Sequence, residues 1–377
     1  GSWQDCMAAF EEQLAECAVR YPDLPPPPAA SAEALWRHVS RTIQPQPVAL
    51  QASGLVPGDP AETFALRRGS QLDRTYLLYR WLADAGYKNV EWRWIRERSQ
   101  GELADSAPSP HAFVAPALFL HTNGLGYLIA GDDLDAVQEP LQAKAAARCL
   151  TRNGLVQLPI PEPNKMGWHR TVELALDPDG NAVVTDRILA KGLRARKFRS
   201  WRRLTEEERR NEAQNIVNSV DSRAEKIAYT VAGTLAENEP EIAVTFHYRI
   251  PHFADRREAL MSLKLPWLDY SSQLVGRDER RFALFWNHPD YQQTAVTIDW
   301  PEHLMLYATP PTVKRDLAGV SVRTSLAQKN NERAVYTIHY ERRVLEVSPG
   351  TYSELKTALE ERAAIGRGYW VWRRRSD

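Results

Sequence analysis

The groups able to do covalent or coordination chemistry fall into a few sets along this chain. Ser70 and Asp73 stand just ahead of an apolar helical pattern. Ser70, together with His111 or His121 and Asp132, would supply the members of a Ser-His-Asp set. That chemistry needs a hydroxyl, an imidazole to take its proton and a carboxylate to orient the imidazole. Nothing in the spacing demands that these residues meet. The thiols are Cys6, Cys17 and Cys149. Cys6 and Cys17 share one predicted helix, where their separation of about 16 Å is too long for a disulfide. Cys149 lies among alanines in a helix predicted over Glu139–Leu150, where a small core thiol is the simplest reading. The nine His residues form no H-E-x-x-H pattern, and no C-x-x-C pair occurs. No metal is therefore expected. The sequence also lacks G-x-x-x-x-G-K-[ST] and G-x-G-x-x-G, so no nucleotide and no other cofactor is expected. Trp92 and Trp94 project from one face of a predicted strand. They either stack a sugar or peptide or pack against the helix before them.

The stretch Arg67–Ile95 must position most of these groups. It opens with a turn at Gly69-Ser70. Leu77, Leu78, Trp81, Leu82 and Ala85 then recur at helical spacing. Gly86 is placed to stop that helix. Val90–Ile95 alternates like a half-buried strand. Asp73, in the first helical turn, favours the helix dipole whatever else it does.

This run resembles the core of the transglutaminase-like (papain-related) cysteine-enzyme superfamily. It is most similar to the bacterial branch that joins this core to flanking β-domains of unknown function. That branch reads R-R-x-G-D-C-K-D-K-A-x-L-L, then a helix ending A-L-G-I, then a strand. Gly69, Asp73, Leu77-Leu78 and Ala85-Gly86-Tyr87 match it, and Val39–Ile43 matches the V-x-x-x-I end of the preceding helix. The resemblance puts the nucleophilic Cys on Gln71. Its F-N-H-V strand falls on Phe113-Val114-Ala115-Pro116, which puts the His on Ala115. Its Y-W-L strand falls on Tyr127-Leu128-Ile129, which puts the Asp on Ala130, with Asp132 and Asp133 close behind. A carboxamide has no proton to lose and cannot attack as a thiolate does. The resemblance therefore implies a degenerate copy with no catalytic residue, so the chain is expected not to be an enzyme. The binding candidates are Ser70, Gln71, Asp73, Trp92, Trp94 and His111. Weaker matches at Arg281–Leu284, Trp300–His303 and Val347–Tyr352 extend the resemblance over roughly residues 31–372.

The chain has 377 residues, enough for two or three domains. Lys+Arg and Asp+Glu both number 48. That balance argues against a general nucleic-acid binder, which carries a basic excess. No apolar run is long enough to span a membrane. Gly1-Ser2 reads as a cloning remnant, so native residues are expected upstream, as part of a larger chain. Asp5–Arg20 reads as an amphipathic helix with Met7, Phe10, Leu14, Cys17 and Ala18 on one side. It is followed by the stiff Pro25–Pro28 linker. From Trp168 onward short alternating strands dominate, interrupted by a helix capped at Thr205 and closed by another over Ser353–Ala364.

The expected class is α+β, a transglutaminase-like core of cysteine-protease type followed by one or two β-sandwich domains. The expected divisions are 1–28 (helix and linker), 29–160 (degenerate core), 161–265 (β-rich with one long helix) and 266–377 (β-sandwich-like). The expected function is non-catalytic recognition of a peptide, glycan or partner protein. The alternative is a hydrolase or acyltransferase with an unrecognised nucleophile. Periplasmic or envelope location follows from the resemblance, while composition fits the cytoplasm equally well.

Overall fold

The computed structural model describes residues 1–47, 55–101, 103, 108–113, 115–121, 125–129, 134–233, 235 and 239–375. The chain is an α+β protein of two compact units, Gly1–Pro161 and Glu162–Asp377. Among the described residues no helix is long and apolar enough to cross a membrane.

Unit 1 begins with α1 (Trp3–Arg20), capped by Ser2, whose Oγ accepts from the Asp5 N–H. Trp3, Met7, Phe10, Leu14 and Cys17 are its buried residues, spaced alternately by four and three. The expectation that residues 1–28 stand apart is corrected here. The apolar stripe of α1 lies in the core of unit 1, and the Phe10 ring is 4.7 Å from that of Trp94 and 5.3 Å from that of Trp92. Helix α2 (Ala32–Thr42) has Ser31 as its cap. Its Trp36 Nε1 donates to the Leu128 carbonyl at 3.0 Å. Strand β1 (Gln44–Pro45) runs parallel to β2 (Arg68–Gly69), with α3 (Pro60–Leu66) between them in sequence. The central helix α4 spans Gln71–Asp84. Gly86, at φ +86°, ends it. There the Tyr87 N–H reaches the Leu82 carbonyl and the Gly86 N–H reaches that of Ala83, the Schellman arrangement.

The sheet of unit 1 contains β3 (Val90–Arg96), β4 (Ala115–Leu120), β5 (Leu125–Tyr127), β6 (Arg148–Thr151) and β7 (Gly154–Gln157). Its order is β5-β4-β3-β6-β7, antiparallel throughout. Alternation divides its faces. Trp92, Trp94, Leu118, Leu120 and Leu150 share a core with α1, α2 and α4, while Ile95, Ala115, Ala117 and Cys149 form a second cluster with Leu128 and Leu158. The helix expected over Glu139–Leu150 is only α5 (Glu139–Gln142). Ala146 takes φ +55°, which no helix continues, and Cys149 lies in β6 opposite Ile95. Strand pairing overrides the helix preference of the alanine run.

Unit 2 is built on β8 (Trp168–Leu176), β9 (Ala182–Lys191), β10 (Glu225–Ala232), β11 (Glu241–Ile250), β12 (Asp255–Arg257), β13 (Leu260–Leu263), β14 (Leu284–Phe285), β15 (Asp290–Asp299), β16 (Leu304–Ala308), β17 (Lys314–Leu317), β18 (Val320–Gln328), β19 (Arg333–Arg342), β20 (Glu346–Val347) and β21 (Trp370–Arg374). Eight of these form one sheet, ordered β10-β11-β9-β8-β15-β19-β18-β17. Every pairing in it is antiparallel except β8 with β15. A second sheet, β12-β13-β21-β16, shares its core, with Tyr336 of the large sheet and Trp370 of the small one 5.5 Å apart, edge to face. Helices α6 (Arg196–Arg199), α7 (Glu206–Asn218) and α8 (Tyr352–Arg367) complete the unit. The division expected between 265 and 266 is not present. The β8–β15 ladder carries one sheet and one core across it.

Candidate functional site

The N-terminus of α4 is built by three short-range devices. Gly69 pairs with Pro45 in the β1–β2 ladder, and a Cβ on it would lie 3.0 Å from Thr63 and 3.1 Å from Asp73 side-chain carbon. A side chain here would press these neighbours apart by a few tenths of an ångström, which glycine avoids. Ser70 is the N-cap, and its Oγ accepts from the Asp73 N–H at 3.2 Å. The Asp73 carboxylate answers, with Oδ2 accepting from the Ser70 N–H at 2.9 Å and from its Oγ at 2.7 Å. Its other oxygen accepts from the Gly58 N–H at 2.8 Å. This reciprocal capping box fixes where the helix starts.

Gln71 is the first residue of α4. It is half-buried, and its Nε2 donates to the Ile129 carbonyl at 3.1 Å, next to Ala130 in the chain. Ala130 itself, with Asp132 and Asp133, lies outside the described residues. Below the cap Arg74 is 1% exposed, and burial pulls its guanidinium down to about 10.

Among the described residues Ser70 and Asp73 adjoin Gln71, whereas Ala115, His111 and His121 are placed apart from it. Ala115 pairs with Ile95 and lies in the second cluster, on the sheet face away from Trp92, Trp94 and α4. A His at that position would be on the wrong side of the sheet from residue 71. His111 is exposed, in the short turn Pro110–Ala112. His121 is 3.0 Å from Glu91, on the face opposite the helix. Ser70 is 5% exposed, and its hydroxyl spends its hydrogen bonds on Asp73. Trp92 and Trp94, each 2% exposed, are closed to a ligand by Phe10 and, for Trp92, by Tyr79 at 5.8 Å. Of the two readings open for that pair, packing is the one realised, with α1 as the main partner. Cys149 is buried in β6, and burial pushes its thiol up to about 12. A thiol so held is inert at neutral pH.

A cavity that the sequence reading missed lies within unit 2. Its floor is Trp168 and Arg170 of β8 with their ladder partners Ala190 and Ile188 of β9. Arg194 lines it from the turn after β9, Lys197 and Phe198 from α6, and Glu212 and Ile216 from α7. Its volume of about 460 Å³ is that of a small-molecule site. The sequence did hold one signal, the Trp-x-Arg alternation opening β8, which puts a large ring and a cation on one face.

Comparisons with known proteins add a fold and no activity. No family model and no curated protein matches the chain. The crystal structure at 2.00 Å of a "putative protease" from Parabacteroides distasonis ATCC 8503 is similar, with a TM-score of 0.54 at 11% identity. The match covers 99% of this chain and 59% of that one, so this chain spans less than two thirds of its neighbour.

Proposed function

We propose that this chain is a non-catalytic binding protein on a degenerate transglutaminase-like frame, recognising a peptide, glycan or protein partner, with the periplasm or envelope as its place of action. One observation carries the reading. At the start of the central helix, where the resembled family keeps its thiolate, a carboxamide donates to a backbone carbonyl while Ser70 and Asp73 satisfy each other. An amide held in this way positions the segment at Ile129 and has no nucleophilic chemistry.

The similarity to a structure described as a protease supports a second reading, hydrolysis or acyl transfer by another residue set. Incubation of the full chain with fluorophosphonate and iodoacetamide probes separates the two. The binding reading expects no stoichiometric labelling of any residue flanking α4, and no cleavage of casein or release from acyl-peptide esters. Saturable labelling of one such residue, abolished by its substitution together with turnover, would establish the second reading instead. Gln71→Cys is expected to gain a reactive thiol but no turnover, because position 115 lies on the far face of the sheet.

A further inference from the structure

The unit 2 cavity carries its polar groups in an uneven arrangement. Arg170 is held from behind by Asp186, with Nε to Oδ1 at 2.9 Å and Nη2 to Oδ2 at 2.6 Å. Asp186 is 1% exposed, and although burial opposes the charge on Arg170, this carboxylate outweighs it and raises the guanidinium pKa. The remaining nitrogen of Arg170, Nη1, makes no hydrogen bond among the described residues. Arg194 shows a similar layout. Its Nη2 donates to Asp290 at 3.2 Å, its guanidinium lies 5.4 Å from the Trp168 ring centre, and its buried Nε has no partner. Lys197 is exposed and Glu212 half-buried, and neither forms an ion pair among the described residues although both line the same cavity. Between these groups the lining is apolar, from Trp168, Ile188, Phe198 and Ile216.

We infer that this cavity binds a terminal α-carboxylate attached to an apolar side chain, from either a peptide C-terminus or a free apolar amino acid. The carboxylate accepts charge-assisted hydrogen bonds from Arg170 Nη1, Arg194 and Lys197. The two guanidinium groups are already fixed by their buried carboxylates, so little freedom is lost when the ligand arrives. The apolar lining takes the side chain, as such sites do. Glu212, on the α7 wall, accepts the amine or the last peptide N–H. A neutral sugar would leave the unpaired donors unused, and the Glu212 carboxylate disfavours the second negative charge that a phosphate dianion brings. The inference goes beyond the binding reading proposed at α4 and does not depend on Gln71.

Titration calorimetry of the full chain at pH 7 and low salt tests it. The probes are Gly-Gly-Leu, its C-terminal amide, leucine and N-acetyl-leucine. The free acid is expected to bind about tenfold or more tighter than the amide, since the amide forfeits the charged hydrogen bonds. Lys197→Met, at an exposed position that folding does not need, is expected to weaken the acid several-fold and leave the amide unchanged. Leucine binding tightly while N-acetyl-leucine fails, with Glu212→Gln removing the difference, assigns the free amino acid. N-acetyl-leucine and Gly-Gly-Leu binding alike assigns the peptide terminus. Either result upholds the proposal. Equal affinity for acid and amide, no heat from any probe at millimolar concentration, or indifference to Lys197→Met overturns it. Such a failure leaves the non-catalytic reading standing, whereas a labelled nucleophile beside α4 would remove that reading and not this one.

Discussion

Replacing Phe10 by Ala tests whether α1 belongs to unit 1 or merely rests near it. The Phe10 ring is 4% exposed and lies over both Trp92 and Trp94, at 5.3 and 4.7 Å between ring centres. Truncating a buried Phe removes its transfer free energy and leaves a cavity, costing about 3–5 kcal/mol. The two ring contacts, one edge-to-face and one tilted, account for part of that sum, about 0.5–1.5 kcal/mol each. Phe10→Leu keeps most of the volume and is expected to cost under about 1.5 kcal/mol. A chain of two units is a poor subject for a single unfolding midpoint, so the measurement is local hydrogen exchange. Amides of β3 from Trp92 to Ile95 are expected to exchange about a hundredfold faster or more in Phe10→Ala, by this magnitude, and far less so in Phe10→Leu. Peptides from unit 2 provide the internal reference. If β3 protection changes by less than about threefold in Phe10→Ala, α1 does not hold these rings and its placement in the core is wrong.

Cys149 is expected to resist iodoacetamide at pH 8 while half-buried Cys6 reacts, as mass spectrometry of the labelled peptides would show. Because burial raises the Cys149 pKa from 9.0 to about 12, the unfolded thiol ionises first. Its contribution to stability is therefore intact below pH 9 and is lost as pH rises from there toward 12, visible as a falling alkaline midpoint that Cys149→Ser reduces. The Thr205 N–H and hydroxyl hold the Glu208 carboxyl below its usual value of 4.5. The cap of α7 is thus complete above that value and fades as pH falls through the lower folded value, with amide exchange in the first turn as the readout and Glu208→Gln as the variant that no longer titrates. Gly167→Ala is expected to be severe, about 2 kcal/mol or more, because the new Cβ would lie 1.8 Å from the Tyr291 backbone oxygen. Calorimetry showing an unchanged unit 2 transition would refute that.

What the sequence revealed follows from how local the cause is. The capping box at Thr205 needs only a few residues, and it lies where its spacing puts it. The end of α4 at Gly86 and the β8–β9 hairpin are equally local. Cys149 was assigned to a helix because its pairing with Ile95, far back in the chain, decides its strand. The same holds for the extra domain boundary. Nothing near residue 265 announces that Trp168 and Gln292 share a ladder. At the candidate site, the amide at Gln71 is visible in the sequence. The face on which Ala115 lies is not, since a shift of one residue exchanges the two sides of a strand. The burial of Trp92 and Trp94 depends on Phe10, which no local pattern links to them.

The single parallel seam in the large sheet bears on how unit 2 is made. Strands β8, β9, β10 and β11 are complete in the chain before β15 begins, and they can pair among themselves as synthesis proceeds. In the other half β17, β18 and β19 zip from neighbours close in sequence, and β15 joins β19 across residues 300–332. Joining the halves closes a long loop, a slow event that comes after local contacts. Until it happens, β8 presents a naked edge beside Trp168, the kind of surface on which nascent chains stick to one another. The hazard of producing this protein therefore lies in that interval on the ribosome, and a chaperone that shields an open strand would act there.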